Sequence, residues 1–167
     1  MILHKGEVLF RQGESGPLFK LNSGLLKVIR LQEDGTTFLF NFLLPGEVFP
    51  HHSLITPKEY HGTAIAVMTS EIEVIPAEDW YKRLANDPVQ YRDVALLLQS
   101  RLRTMQQRID QLTVVTPRER LNLLYEWFHT YLGKIPILEL LTQEEIGQLI
   151  GVRRETVNRL LREMKEE

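Results

Sequence analysis

The chain has 167 residues, and its 43% hydrophobic content is enough to bury a core in one or two domains. It contains no cysteine, which excludes disulfides, thiol redox switches, cysteine-ligated zinc and a cysteine-bound iron–sulfur cluster. The formal net charge of −2 requires any attraction for nucleic acid to be local, and the absence of a signal peptide and of a long apolar run predicts a cytoplasmic protein with no membrane partner.

The amino-terminal half of the chain predicts many short strands. Short β-branched and aromatic runs alternate there with turn signals such as Asp34-Gly35 and Pro45-Gly46. The predicted strands are residues 8–10, 18–21, 25–31, 36–44, 63–68 and 71–75. Strands of this length and spacing are typical of a β-sandwich or a small barrel.

Three histidines, His51, His52 and His61, follow the fourth predicted strand. Imidazole is a common ligand for zinc, copper and iron. Neighbouring residues of a strand point to opposite faces, however, so His51 and His52 would share a metal only if they lay in a loop. A polar loop without a metal therefore fits these residues better, and a cupin-like metal-binding protein or enzyme is the alternative.

A long helix is predicted from Asp87 onward. Apolar residues at alternating spacings of three and four form an a/d seam along it. The seam consists of Ala95, Leu98, Leu102, Met105, Ile109 and Leu112. Such a seam needs a partner helix and favours a symmetric homodimer, in which Arg101 and Arg108 at g positions meet no like charge. The alternative is packing on the same chain, and Leu96 and Leu97 are expected to make that contact.

A further helix is predicted after a hinge at residues 114–116. Thr116 is its capping residue, Pro117 occupies the first helical position and Glu119 completes a capping box. Gly133 is suited to end this helix. Residues 135–140, interrupted by Pro136, are expected to form a short extended segment.

Residues 141–164, LTQEEIGQLIGVRRETVNRLLREM, predict two short amphipathic helices joined by a tight turn. Thr142 and Glu145 form a capping box, and Gly151 can adopt the left-handed conformation that reverses the chain. The second helix carries one apolar stripe. Its members are Val157, Leu160, Leu161 and Met164. The opposite side is rich in arginine, so the segment has the pattern of a DNA-reading helix-turn-helix.

The words TQEEIGQLIG and RETVNRLL resemble the DNA-binding motif of the cyclic-AMP receptor protein and FNR family of bacterial transcription regulators. KGEVLFRQGE and LLPGEVF are similar to the sensor of the same family. The resemblance implies an α+β fold with a jelly-roll (double-stranded β-helix), cyclic-nucleotide-binding-like sensor over residues 1–86. It further implies a dimerisation helix over 87–113 and a winged-helix-type helix-turn-helix domain over 114–167. The wing and the segment before the first strand have no counterpart, so a fragment or a short variant is expected.

The resemblance places Arg154, Glu155 and Arg159 on base-reading positions, and Asn158 on a further position that the family varies. Arginine pairs with guanine O6 and N7, and glutamate accepts from cytosine N4, so a half-site containing G·C pairs is expected. Arg153 stands where the family commonly has serine, which removes a helix cap and offers a phosphate contact. The expected phosphate-contacting residues are Arg153, Arg162 and Thr142.

Cyclic-nucleotide binders of the family place a Gly-Glu pair shortly after the PGE turn and an Arg-Ser pair further on. This chain has FPHHS and then YHGT at those places, without an arginine to hold a phosphate. We therefore predict that cyclic AMP is not its effector. The candidate effector-pocket residues are Phe49, His51, His52, Ser53, His61 and Thr63.

The expected function is that of a transcription regulator without enzymatic activity. It binds palindromic double-stranded DNA as a homodimer, with RNA polymerase as a further partner and an unidentified small molecule as effector. Two other classes are the cupin-like metal protein and an interaction module that uses its helix-turn-helix only for packing. Salt-dependent DNA binding distinguishes the last of these from a regulator.

Overall fold

The computed structural model describes residues 1–113, 116–133 and 135–164. The chain forms two compact units, Met1–Leu102 and Arg103–Glu167. The boundary between them falls within the long helix predicted from residue 87 to residue 113. Within the described ranges, no helix combines the length and the apolar character that a bilayer crossing requires.

The first unit contains two four-stranded antiparallel sheets, with strand orders β1-β8-β3-β6 and β2-β7-β4-β5. The strands are β1 (Ile2–Leu3), β2 (Val8–Phe10), β3 (Leu18–Ser23), β4 (Leu26–Leu31), β5 (Thr37–Leu43), β6 (Val48–Phe49), β7 (Thr63–Ala66) and β8 (Ser70–Ile75). All six predicted strands are confirmed, with ends shifted by up to two residues. Strands β1 and β6 were not predicted, because two residues are too few to show an alternating pattern.

An aromatic cluster fills the space between the two sheets. Phe19 of β3 pairs in register with Phe49 of β6, and their ring centroids lie 5.8 Å apart. Phe10 stacks on Phe19 at 5.6 Å and contacts Tyr60 at 4.1 Å. All four side chains are at least nine-tenths buried. Offset and tilted rings at these separations stabilise the interior beyond the burial of their area.

Helix α1 (Ala77–Asn86) follows the last strand and was not predicted from the sequence. Trp80 and Leu84 are one helical turn apart. Both belong to a hydrophobic cluster separate from the aromatic one, whose other buried members are Leu18, Leu54, Ile75 and Val94. The indole Nε1 of Trp80 donates to the carbonyl oxygen of Leu54 at 2.8 Å. The signal was present in the sequence, since Pro76 precedes two acidic residues and an i, i+4 apolar pair.

Helix α2 (Pro88–Thr113) is confirmed, and the carboxylate of Asp87 caps it by accepting from two backbone N–H groups of its first turn. Leu97 packs against the core of the first unit, as expected. Leu96 does not, because it is 52% exposed, so that expectation was wrong. Leu98, which was assigned to the dimer seam, is half-buried against the same intrachain core.

A buried ion pair holds α2 against the turn between β5 and β6. The Glu47 side chain is only 3% exposed, and its Oε1 lies 2.8 Å from Nη2 of Arg101. The same oxygen accepts a hydrogen bond from the backbone N–H of Leu44 at 3.1 Å. The second oxygen lies 3.1 Å from Nε2 of His51, but these two atoms are not aligned for a hydrogen bond. Arg101 is therefore the neutralising partner of a carboxylate that water barely reaches.

The described part of the second unit is helical beyond the end of α2. Its helices are α3 (Pro117–Leu132), α4 (Ile137–Leu140), α5 (Gln143–Ile150) and α6 (Arg154–Glu163). Both predicted capping boxes are confirmed: the Thr116 hydroxyl accepts from the backbone N–H of Glu119 at 3.3 Å, and the Thr142 hydroxyl accepts from that of Glu145 at 3.2 Å. Gly133 ends α3 as predicted. Residues 114 and 115 of the predicted hinge lie outside the described residues.

The expectation of an extended segment at residues 135–140 was wrong over its last four residues. Pro136 precedes a single helical turn, in which the N–H of Leu141 donates to the carbonyl of Ile137 at 2.8 Å. Ile137 and Leu140 are both buried, and their i, i+3 spacing places them on one side of the turn. Proline is well tolerated just before a helix, so it begins this element rather than interrupting it.

Replacing Arg101 by methionine tests the buried ion pair. The substitution keeps much of the aliphatic volume but leaves the Glu47 carboxylate buried without a cation, so the free energy of unfolding should fall by about 3 to 5 kcal/mol. Urea unfolding followed by circular dichroism measures this change. The matched control is the double variant E47Q/R101M, which removes both charges and should be more stable than R101M alone. A double variant as unstable as R101M would show that the charge pair is not the cause.

Candidate nucleic-acid interface and sensor site

Two glycines shape the turn between α5 and α6. Gly151 adopts the predicted left-handed conformation, with φ 68° and ψ 40°. Gly147 is buried one turn earlier, and a Cβ at this position would lie 2.6 Å from the carbonyl oxygen of Val152. The N–H of Val152 instead donates to the Gly147 carbonyl at 2.9 Å. The role of Gly151 was predicted from the sequence and that of Gly147 was not, since close backbone approach inside a helix leaves no local signal.

The inner face of α6 is an apolar anchor. Val157, Leu160 and Leu161 are 0%, 4% and 7% exposed, which confirms these members of the predicted stripe, whereas Met164 is half-buried. Ile146 and Leu149 of α5 are buried on the facing element, and α5 packs directly on α6. The rotation of α6 about its axis is fixed by this burial, because turning the helix would expose three large side chains to water.

The residues predicted to read bases lie on the outer face of α6. Arg154, Glu155 and Arg159 are exposed, and Asn158 is half-buried. The structure therefore brings the first three together on one accessible surface. Nη1 of Arg159 lies 3.1 Å from Oε1 of Glu163, an i, i+4 pair that the sequence analysis did not note. Both partners are well exposed, and such a pair contributes only a few tenths of a kcal/mol.

The residues predicted to contact phosphates lie at the margins of this surface. Arg153 is the capping residue of α6, and its side chain makes no capping hydrogen bond, as the sequence analysis expected. Arg153 and Arg162 are exposed. Thr142 is also exposed, but its hydroxyl serves the capping box of α5. Phosphate contact by these three residues stays a prediction.

The predicted dimer seam forms an apolar face along α2. Its exposed members include Leu102 at 58%, Met105 at 52%, Ile109 at 63% and Leu112 at 44%. Ala95 is exposed as well, whereas Leu98 is partly covered by its own chain. Large apolar side chains repeating on one exposed side of a helix are typical of a surface that a partner covers.

Three of the six effector candidates are engaged in contacts within the first unit. Phe49 is fully buried in the aromatic cluster, and His51 faces Glu47. The Ser53 hydroxyl donates to the carbonyl of Lys58 at 3.2 Å. Ser53 also lines a surface cavity of about 320 Å³, and Tyr60 is another of its lining residues.

The other three candidates lie toward the outer surface. Nε2 of His52 is 2.9 Å from the carbonyl oxygen of Glu59, and Thr63 accepts from the backbone N–H of Gln12 at 3.1 Å. The rings of His52 and His61 lie 5.7 Å apart. Partial burial lowers the pKa of His61, and the nearby Arg30 and His52 charges act in the same direction. The six candidate side chains thus contact different partners.

The three histidines do not converge on one metal position. His51 and His52 lie in a 3₁₀ turn, His51–Ser53, and not in a strand, so the geometric objection raised from the sequence does not apply. Their ring nitrogens nevertheless face different partners, the Glu47 carboxylate and the Glu59 carbonyl. Among residues 1–113, 116–133 and 135–164, no group of three or more histidine, aspartate or glutamate side chains is arranged to hold a metal ion.

Comparison with known proteins places both units in families. Residues 1–87 match the family described as cyclic nucleotide-binding domain, and residues 121–167 match the Crp-like helix-turn-helix domain. The chain is 30% identical over 165 residues to the cyclic AMP receptor protein of Thermus thermophilus, covering 98% of this chain and 75% of that protein. It is 29% identical over 164 residues to the transcriptional activator protein anr of Pseudomonas aeruginosa, covering 95% of this chain and 67% of that protein.

Solved structures show the same fold. FixK2 from Bradyrhizobium japonicum superposes with a TM-score of 0.82 at 21% identity, covering 99% of this chain and 83% of that chain. The cupin-like alternative finds no support in these relatives. With a matching sensor domain, a matching helix-turn-helix domain and relatives of this kind over nearly its whole length, the chain belongs to the Crp/Fnr family of DNA-binding transcription regulators.

Proposed function

We propose that the protein is a cytoplasmic, non-enzymatic regulator that binds palindromic DNA as a homodimer and responds to an effector other than cyclic AMP. RNA polymerase is its proposed partner at promoters. The observation that carries the proposal is the division of α6 into a buried apolar face and an exposed face with Arg154, Glu155 and Arg159. The unidentified effector is a small molecule bound by the first unit.

The outer face of α6 suits base reading in the major groove. Its arginines can donate two hydrogen bonds each to guanine, and Glu155 can accept from cytosine. Arg154 and Glu155 lie in the first turn of α6, and recognition helices contact bases mainly with their amino-terminal residues. Arg153 and Arg162 flank this surface as phosphate contacts, which position a protein on DNA without reading its sequence.

Dimerisation through α2 follows from the exposed seam. A single chain leaves the side chains of Leu102, Met105 and Ile109 more than half exposed along one helix face. Burying them against a second copy removes this apolar surface from water, at roughly 25 cal/mol per Å². A twofold dimer presents two copies of α6 about 34 Å apart along the duplex, and it therefore prefers a palindromic site.

The interior of the first unit argues against cyclic AMP as the effector. Tyr60 packs on Phe10, and its hydroxyl donates to the carbonyl of Pro17 at 2.8 Å. Burial raises the pKa of Tyr60 to about 12, with smaller effects from Glu14 and Tyr81, so the phenol is neutral at physiological pH. The interior thus offers aromatic rings and a neutral hydroxyl where a cyclic phosphate needs a cation, and no arginine occurs between residues 48 and 66.

Replacing Arg159 by alanine should weaken binding to a DNA site selected by the wild type by about 1 to 3 kcal/mol and relax base preference at one position in each half-site. The control is Arg153→Ala, which should weaken binding to selected and scrambled duplexes equally and reduce the salt dependence. Fluorescence anisotropy at several salt concentrations measures both. An Arg159→Ala variant with unchanged base preference would remove this residue from base reading, and wild-type protein without salt-dependent DNA binding would favour the interaction module.

Replacing Ile109 by arginine should shift the protein from dimer to monomer, because two arginines would then meet in an apolar seam. Sedimentation equilibrium measures the association. The control is Gln107→Arg, which adds the same charge to an exposed position off the seam of the same helix and should leave the dimer intact. If Ile109→Arg and Gln107→Arg have the same dissociation constant for the dimer, the interface lies elsewhere.

Isothermal calorimetry tests the prediction about cyclic AMP. Injection of cyclic AMP into the purified protein should produce no binding heat, since residues 48–66 contain no arginine to neutralise the cyclic phosphate. The Thermus thermophilus relative named as a cyclic AMP receptor protein serves as the positive control. A dissociation constant in the low micromolar range for this protein would contradict the prediction.

A further inference from the structure

The carboxyl end of α5 is held by a side chain from outside the helix-turn-helix. The last carbonyl groups of a helix have no partner within it. At Ile150, the last residue of α5, the carbonyl oxygen accepts a hydrogen bond from Nη1 of Arg120 at 2.8 Å. Arg120 lies in the first turn of α3, next to the capping box of Thr116 and Glu119. The base of α3 is therefore bonded to the point where α5 ends.

The Arg120 guanidinium also packs on the turn itself. A Cβ at Gly151 would lie 3.3 Å from Nη1 of Arg120 and 3.6 Å from a methyl group of Leu112. The Nε atom of Arg120 is buried and has no hydrogen-bond partner among the described residues. Its positive charge stands at the carboxyl end of α5, where the helix dipole favours a cation. The Arg120 guanidinium therefore makes specific contacts with the turn and is not simply a solvated surface charge.

The turn needs such support because α6 starts without a side-chain cap. Arg153 makes no capping hydrogen bond, and α6 begins with Arg154 only three residues after Gly151. The apolar stripe fixes the rotation of α6, but its first anchored residue is Val157, one turn further on. The placement of the first turn, which carries Arg154 and Glu155, thus depends on the turn before it.

We propose that Arg120 is a positioning residue for base reading: by bonding the Ile150 carbonyl, it sets where the first turn of α6 stands in the major groove. Arg120 contacts no base in this proposal, which rests on the proposed reading of DNA by α6. Bidentate base contacts tolerate little displacement, whereas phosphate contacts by flexible arginines tolerate much more. Loss of Arg120 therefore reduces affinity for a selected site and leaves affinity for unrelated DNA nearly unchanged.

A graded series of variants separates this role from general stabilisation. R120K keeps a charge and a donor, R120Q keeps a neutral donor, and R120M keeps only the aliphatic stem. The probes are a palindromic duplex that the wild type selects from a random pool and a scrambled duplex of the same composition. On the selected duplex, R120M should bind about tenfold more weakly than the wild type and R120K about threefold or less, with R120Q between them. On the scrambled duplex, all three should stay within about twofold.

The matched control is R103M, which removes an equal charge from an exposed position in the same unit and should bind both duplexes like the wild type. Equal losses on both duplexes, or wild-type affinity of R120M for the selected duplex, would overturn the proposal. If R120M fails to fold by circular dichroism, R120K and R120Q decide, and wild-type affinity of R120Q would overturn it. If the wild type selects no DNA site from the random pool, both the proposed base reading and this proposal are wrong. If it selects a site but the Arg120 variants bind that site like the wild type, only this proposal is wrong.

Discussion

A carboxylate that water cannot reach must have a cation or several hydrogen-bond donors beside it, and this constraint locates α2 on the first unit. Glu47 lies in the tight turn between β5 and β6, and Arg101 of α2 supplies the charge that neutralises it. Neither residue can move far alone, since separation leaves a buried charge uncompensated. The ion pair thereby fixes the position of α2 on the two sheets at one point. Leu97 and Leu98 pack against the same unit, but apolar contacts alone would be less specific about this position.

The turn that follows β6 also lies against this buried carboxylate. The 3₁₀ turn begins at His51, four residues after Glu47. The His51 imidazole lies against Oε2 of Glu47 without forming a hydrogen bond to it. Arg101 directly precedes Leu102, the first large residue of the predicted seam that its own chain leaves more than half exposed. The contact that neutralises Glu47 therefore lies directly beside the start of the exposed apolar face of α2.

Features encoded within a few residues could be predicted from the sequence, and features that join distant residues could not. The capping boxes at Thr116 and Thr142 and the left-handed Gly151 each involve residues close together in the sequence, so the sequence alone predicts them. The Glu47–Arg101 pair and the bond from Arg120 to Ile150 connect residues far apart in sequence. From the sequence alone, Arg101 and Arg120 are expected to be exposed, as most arginines are, and only the fold reveals their partners. The candidate effector residues were chosen by position relative to a family pattern, which does not reveal that their side chains face different ways.

Two arginine–glutamate pairs, Glu47–Arg101 and Arg159–Glu163, differ in how easily they are broken. The pair at Glu47 is buried, so its separation exposes an unpaired charge to a poorly polarisable interior. The pair between Arg159 and Glu163 lies in water, with side chains 65% and 42% exposed, and its loss is almost fully offset by solvation. The proposed contact of Arg159 with guanine therefore loses little free energy when Glu163 is displaced.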